Sequence, residues 1–418
     1  MYDPICAFET IRDNFLRYIK TAFGTRFPEI EEEREKLLRE PGELNKPGVF
    51  HQEPWIEPLP QYETSGKNIQ QLTIEDTPGL EGETLKEFQE LAACGLMGDY
   101  QLYSHQLAML RQSLSGQDAV VTAGTGSGKT ESFLLPLFAY LAKESQNWRP
   151  PGEENLHLND WWKNKDWQDK CKKKNRPMKR SYRVSQREHE TRDAAVRAIV
   201  LYPMNALVED QLTRLRKALD SEQARKWFQE NRAGNRIYFG RYNGVTPVPG
   251  HEQTNKGKPN KKKIDELLGA MQGLENSATA AEQYSQKKGD EEVRFFFPRL
   301  DGSEMRCRWD MQDAPPDILI TNYSMLSIML MRDVDKEIFA KTKAWLEKPD
   351  SIFHLIVDEL PLYRGTQGTE VAYLLRLFLQ RLGLYPGHPK LRVLASSASL
   401  EPDDEQSLKF LSEFFGTD

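Results

Sequence analysis

From Leu102 onward, short runs of apolar and β-branched residues alternate with longer stretches whose apolar positions recur at helical spacing. Each such run can be buried on both faces of a parallel sheet while an amphipathic helix covers it, so the alternation predicts βα units. Strands are expected at 119–122, 198–202, 236–239, 317–321, 353–357 and 392–396, with helices after most of them. Residues 1–97 lack this rhythm. They hold an acidic helical stretch at 29–40 and a proline-rich passage at 41–78, and predict an accessory region ahead of an α/β domain at 98–418. Two stretches interrupt the domain. Residues 146–196 are dense in Trp, Lys and Arg and residues 250–292 are polar. Both exceed ordinary βα loops, so each is either a functional insertion or partly disordered.

Composition narrows the class. A chain of 418 residues with 38% apolar content can bury a sizeable core. Mean hydropathy is −0.68 and the longest apolar run, near 134–142, contains Pro136, so no bilayer span is expected. The start, Met1-Tyr-Asp-Pro-Ile-Cys6, lacks the basic-then-apolar pattern of a secretory signal and predicts a cytoplasmic protein. Cys6, Cys94, Cys171 and Cys307 form no Cys-x-x-Cys pair, which argues against a zinc site and a disulfide framework. A net charge of −6 disfavours general phosphate binding, yet 161–197 carries thirteen Lys/Arg against five Asp/Glu. There Trp161, Trp162 and Trp167 beside Lys172, Lys173, Lys174, Lys179 and Arg180 either stack and pair with single strands or anchor the insertion.

The chemistry concentrates in two places. Ala123-x-x-x-x-Gly128-Lys129-Thr130 lies between an apolar run and an apolar helical stretch, which is the pattern of a phosphate-binding loop with Ala at the first position. Gly124, Gly126 and Gly128 let backbone N–H groups of Thr125, Gly126, Ser127 and Gly128 turn toward phosphates at a helix start. Lys129 would reach the β and γ phosphates and Thr130 would hold Mg²⁺. The second place is Asp358-Glu359, closing the run Ile352-Phe-His-Leu-Ile-Val357. At the carboxyl edge of a parallel sheet, Asp358 would serve the metal, and Glu359 would orient and deprotonate water.

These motifs, with Ser397-Ala398-Ser399, resemble motifs I, II and III of superfamily 2 DEAD/DEAH-type helicases, in order. Leu102-Tyr-Ser-His-Gln106 resembles the Q motif, whose glutamine reads the adenine edge in that family, which points to Gln106. Leu201-Tyr-Pro-Met-Asn-Ala-Leu-Val-Glu-Asp-Gln211 resembles motif Ia, and segments 239–247 and 320–326 resemble Ib and Ic. The resemblance implies a P-loop RecA-like α/β fold with a mostly parallel sheet, ATP and Mg²⁺ as cofactors, and ATP-dependent movement on nucleic acid, DNA rather than RNA. The Ia, Ib and Ic resemblance makes Asn205, Thr246, Thr321 and Asn322 candidate strand contacts, helix capping being their alternative role, and Arg364 lies in a glycine-flanked loop able to join them. The 102–106, 202–207 and 363–368 segments look closest to large bacterial DNA helicases of repair and anti-phage defence.

Two departures qualify the expectation. Pro361 replaces the Asp or His that ends motif II in the family, and proline has no side-chain donor to couple motifs II and III. The residues after Ser399 are too few for the second RecA-like domain, whose arginines complete the family's site. A longer chain or split enzyme is therefore expected, with weak ATP turnover by this part alone. The alternative is a nucleotide-gated nucleic-acid-binding or assembly module that does not unwind.

Overall fold

The computed structural model describes residues 3–42, 50–52, 61–124, 126–171, 182–203, 205–254, 258–360, 366–398, 400 and 404–417. Contacts divide the chain into two units, 1–61 and 62–418. The segment 62–97, grouped on sequence with the accessory region, thus packs with the α/β domain, and its helix Gly82–Ala93 contributes Phe88, Leu91 and Ala92 to that core.

The first unit contains helices Pro4–Ala22 and Pro28–Arg39. Each starts with proline, whose fixed φ suits a first helical turn and whose missing N–H costs nothing there. Ion pairs Lys20–Glu35 at 3.1 Å and Arg39–Asp13 at 3.2 Å join them.

The second unit is built on a six-stranded parallel sheet: β1 Ala119–Thr122, β2 Ala198–Leu201, β3 Phe239–Arg241, β4 Ile318–Thr321, β5 Phe353–Val357 and β6 Leu391–Ser397, in the order β1-β6-β5-β2-β4-β3. Alternate residues feed different cores. Ala198, Val200, Ile356 and Leu394 face one apolar cluster with the helix Lys129–Ser145, while Ile199, Leu201, Leu355, Val357 and Val393 face another with the helix Thr366–Leu382. The α/β expectation holds, five strands lie within two residues of their predicted bounds, and β3 starts three residues late. The reason is a carboxylate. Tyr238 donates its N–H to Asp317 Oδ2 at 2.7 Å while its carbonyl accepts from Ile318 N at 3.0 Å, so a side chain takes the N–H that an earlier start of the strand would use.

Asp317 also holds buried arginines. Arg192 donates from two nitrogens to its two oxygens, each at 2.7 Å, and Arg197 approaches at 3.0 Å. Burial by itself disfavours the charged carboxylate, but the pull of Arg192, Arg187 and Arg197 prevails and holds this carboxyl well below the ordinary range. Arg197 reaches on to Glu144 at 2.9 Å, at the end of the Lys129–Ser145 helix. Arg183, Arg187, Arg192 and Arg197 are all buried, so four of the charges concentrated in 161–197 are structural.

The two insertions fold together. Leu158, Trp161, Trp162 and Val184 from the first pack with Ile264, Leu267 and Met271 from the 28-residue helix Lys261–Lys288 of the second. Trp161 and Trp162 are 2% and 4% exposed and Trp167 Nε1 donates to Tyr182 O at 2.8 Å. Of the two roles open to Trp161 and Trp162, the structure takes anchoring over stacking: apolar demand within the insertions claims them as core. Lys172, Lys173, Lys174, Lys179 and Arg180 lie outside the described residues. No helix among the described residues is long and apolar enough to cross a membrane.

Removing the Asp317 carboxylate takes one buried counter-charge from both Arg192 and Arg197, which keep only Glu190 and Glu144 as acidic partners among the described residues. Asp317→Ala should lower stability by about 3–5 kcal/mol, measured as a shift in the urea midpoint at unchanged slope. A change below about 1 kcal/mol, the scale of an exposed pair, would show that the cluster is dispensable.

Candidate nucleotide site

A parallel sheet delivers all its strand ends to one edge, and the predicted chemistry gathers there. The chain leaves β1 at Thr122, turns through the glycine-rich loop and enters the Lys129–Ser145 helix. Gly126 and Gly128 adopt left-handed φ of 78° and 70°. At Gly128 a side chain is excluded twice over, because a Cβ would also stand 2.4 Å from Gln106 Nε2. Thr125 lies outside the described residues.

Gln106 is buried at the start of the helix Ser104–Leu114. Its Oε1 accepts from Tyr103 N at 2.9 Å and its Nε2 donates to Gly128 O at 3.0 Å, so the residue expected at the adenine also braces the phosphate loop. His105 Nε2 donates to Ser127 O at 2.8 Å. Burial lowers the pKa of His105, against the Ser127 bond, which favours the charged ring. Ser127 Oγ closes the loop on Gly124 O at 2.9 Å.

The acidic pair follows β5. Lys129 Nζ lies 3.6 Å from Glu359 Oε1, with the two side chains 12% and 33% exposed. Asp358 is buried and accepts on Oδ1 from Ser396 Oγ and, at 3.0 Å, from Glu359 N. Burial raises its pKa, and the neighbouring Glu359 charge adds to that, against the opposing Ser396 bond and Lys129. Glu359 itself sits at φ 55°, a conformation costly for a side chain with a Cβ, which turns the chain sharply at the end of β5. Between the two motifs runs β6. Ser397 O accepts from Ala123 N at 3.1 Å on one side while Ser396 holds Asp358 on the other.

Thr130 Oγ1 accepts from Gln211 Nε2 at 3.0 Å, and the adjoining Glu131 pairs with Arg214. Arg214 and Ser396 were not among the residues singled out by sequence, and Gln211 entered only as the last residue of the motif Ia resemblance, without a role. Their roles depend on which elements become neighbours, and no spacing within the chain signals that. Among the described residues no group of three His, Cys, Asp or Glu could enclose a metal ion. The donors present fit a magnesium ion that keeps its waters and shares the substrate's phosphates: one hydroxyl, Thr130, and one carboxylate, Asp358, whose hydrogen bonds from described residues fall on Oδ1 alone.

The candidate strand contacts are placed differently. Thr321 Oγ1 is buried and donates to Tyr242 O at 2.6 Å, and Thr246 Oγ1 is buried and donates to Arg241 O at 2.8 Å. Both hydroxyls brace the turns after β3 and β4 instead of facing outward. Asn322 caps the helix Tyr323–Met331 by accepting from Met325 N at 2.8 Å. Asn205 begins the helix Asn205–Asp220 directly beyond β2, its side chain being outside the described set, as are Arg364 and Pro361.

A family profile described as DEAD/DEAH box helicase matches residues 103–235. The chain is 32% identical over 430 aligned residues to the Druantia protein DruE of Escherichia coli (strain UMEA 4076-1), covering 94% of this chain and 20% of that protein. It thus spans about a fifth of the length of the curated relative it matches. Among solved structures it is similar to the DUF1998 helicase MrfA bound to DNA and AMPPNP, at 16% identity and TM-score 0.42 over 86% of this chain and 30% of that one. It is also similar to the Mycobacterium smegmatis helicase Lhr bound to ssDNA and AMP-PNP, at 17% identity and TM-score 0.41 over 78% and 26%. With the phosphate loop and the acidic pair meeting at one edge of a parallel sheet, this chain carries a superfamily 2 DEAD/DEAH-box helicase-like RecA domain, related to bacterial proteins of that kind.

Proposed function

We propose that this chain binds ATP with Mg²⁺ and contributes its hydrolysis to ATP-driven translocation or unwinding of nucleic acid, DNA in preference to RNA. The observation that carries the reading is the approach of Lys129 to Glu359, with Asp358 adjacent, at the end of the strand pair bridged by β6. The Lys129–Glu359 pair holds each group in place for a substrate. When a triphosphate enters the loop, Lys129 transfers its charge from the carboxylate to the β and γ phosphate oxygens, and Glu359 is released to orient a water and accept its proton. Thr130 and Asp358 would hold a magnesium ion, which would supply neutralisation of phosphate charge. Loop N–H groups and the dipole of the Lys129–Ser145 helix fix the phosphates for in-line attack, and phosphate leaves with ADP.

Motion requires a second RecA-like domain, supplied by a longer polypeptide or in trans, whose arginines complete the site and whose closing and opening alternate the grip on the strand. The isolated chain accordingly binds ATP and turns it over slowly. The surface carrying the strand-end turns at Asn205 and Asn322 is the proposed face for the phosphate backbone. The resemblance of 102–106, 202–207 and 363–368 to large bacterial DNA helicases supports a cytoplasmic role in DNA repair or anti-phage defence.

Lys129→Ala should weaken binding of a labelled ATP analogue about 10–100-fold, since hydrogen bonds to charged groups contribute about 1.5–3 kcal/mol. Glu359→Gln should retain that binding while lowering single-turnover hydrolysis by about 10²–10⁴-fold, the usual weight of a general base. Equal loss of binding in both variants, or unchanged turnover in Glu359→Gln, would contradict the assigned roles. Turnover that rises with single-stranded DNA only after a candidate C-terminal half with a second RecA-like domain is supplied would support the motor. Tight ATP-dependent DNA binding without turnover in that mixture would instead identify a gated module.

The Asp358 environment gives a pH dependence. Metal binding needs its ionised form, and its pKa is raised, so Mg²⁺-dependent nucleotide binding should fall as pH drops through that raised value. Ser396→Ala removes a bond that favours the ionised carboxylate and should move the acid limb of the binding profile to higher pH. An unmoved limb would show that another group governs it.

A further inference from the structure

We infer that Gln211 is a positioning residue for the metal-binding hydroxyl of Thr130, an inference that rests on the nucleotide reading above. Gln211 lies on the helix Asn205–Asp220, is 6% exposed, and donates from Nε2 to Thr130 Oγ1 at 3.0 Å. A threonine hydroxyl has one proton and two lone pairs, and it can rotate among positions about its side chain. In the first turn of a helix, it can also turn back onto a preceding carbonyl. An N–H directed at Oγ1 occupies one lone pair and selects one rotamer, so the remaining lone pair keeps a fixed direction. That is the requirement for a metal that accepts few protein ligands and tolerates little angular error.

The helix is itself held at this spot. One turn beyond Gln211, Arg214 pairs with Glu131, the residue after Thr130, and with Asp210 at 3.0 Å. Two consecutive residues of the phosphate-loop helix are therefore gripped from a single helix, and the Gln211 amide meets the hydroxyl at a set distance. A purely packing role at a buried position would be filled better by an apolar side chain, since a buried amide needs a partner to offset its lost hydration. Here a described partner of that amide is the hydroxyl expected to serve the ion.

The helix that orients this hydroxyl also begins at Asn205, beyond β2, on the edge proposed for the strand. Gln211 thus links the ion's ligand to the element nearest that face.

The test titrates Mg²⁺ against binding of a fluorescent non-hydrolysable ATP analogue to the full chain, with a parallel measurement in EDTA. Gln211→Met keeps the length and bulk of the side chain and removes the donor. It should raise the Mg²⁺ concentration for half-maximal tightening about tenfold, at the lower end of the 10–100-fold loss typical when a ligand's supporting group is removed. Affinity in EDTA should stay within about threefold, below the tenfold that 1.4 kcal/mol represents. Arg214→Ala, which loosens the same helix but leaves the Gln211 donor in place, should shift the Mg²⁺ midpoint in the same direction and by less than Gln211→Met. An unchanged midpoint in Gln211→Met, or an equal loss with and without metal, overturns the positioning role. Should Gln211→Met lose its thermal unfolding transition, Gln211→Leu is read in the same way. Failure of the unmodified chain to bind the analogue at any Mg²⁺ concentration overturns the nucleotide reading itself, and this inference with it.

Discussion

The site depends on the insertion of β6 between β1 and β5. A phosphate loop and an acidic pair separated by more than two hundred residues meet only if their strands end at one edge with the correct gap between them. β6 sets that gap. Its ladder fixes the height of both neighbours, and its last residues bond to each: Ser397 O to Ala123 N, Ser396 Oγ to Asp358. The Lys129–Glu359 approach of 3.6 Å is a consequence of this register. A one-residue slip of β6 would exchange its two faces and withdraw the Ser396 hydroxyl from Asp358.

The same edge shows how charge is kept usable. Asp358 is buried enough that ionisation is disfavoured, and one hydroxyl, one N–H and the nearby Lys129 oppose that cost. Glu359 is more exposed and faces the lysine. Two adjacent carboxylates are thereby given different surroundings, which is what separate duties at an ion and at a water require. At the opposite edge charge serves cohesion. Asp317 gathers Arg192 and Arg197 and ties β2, β4 and the phosphate-loop helix through Glu144.

The insertions show where a linear reading misleads. Their density of Trp, Lys and Arg resembles a strand-binding segment when counted along the chain. Folded, Trp161 and Trp162 make a core with the Lys261–Lys288 helix, and Arg183, Arg187 and Arg192, with Arg197 just beyond, turn inward to carboxylates and carbonyls. Composition records which groups are present, while burial decides which of them face solvent. Thr246 and Thr321 illustrate the same point on a smaller scale, because a short hydroxyl beside a turn finds a backbone carbonyl before it finds a ligand.

Five of the six strands, the phosphate loop and the acidic pair were legible in the chain itself, since each rests on local causes: alternation between buried faces, glycine where φ is positive, carboxylates at a strand end. β3 was displaced because Asp317, a residue remote in sequence, captured the backbone of Tyr238. Gln211, Arg214 and Ser396 acquired their positions from helices and strands that become neighbours only on folding. The sequence by itself therefore determined which reactive residue types and which strand ends the chain carries. The tertiary structure decided which of those groups share a site, because a hydrogen bond or an ion pair acts over about 3–4 Å and contour distance along the chain does not specify such separations.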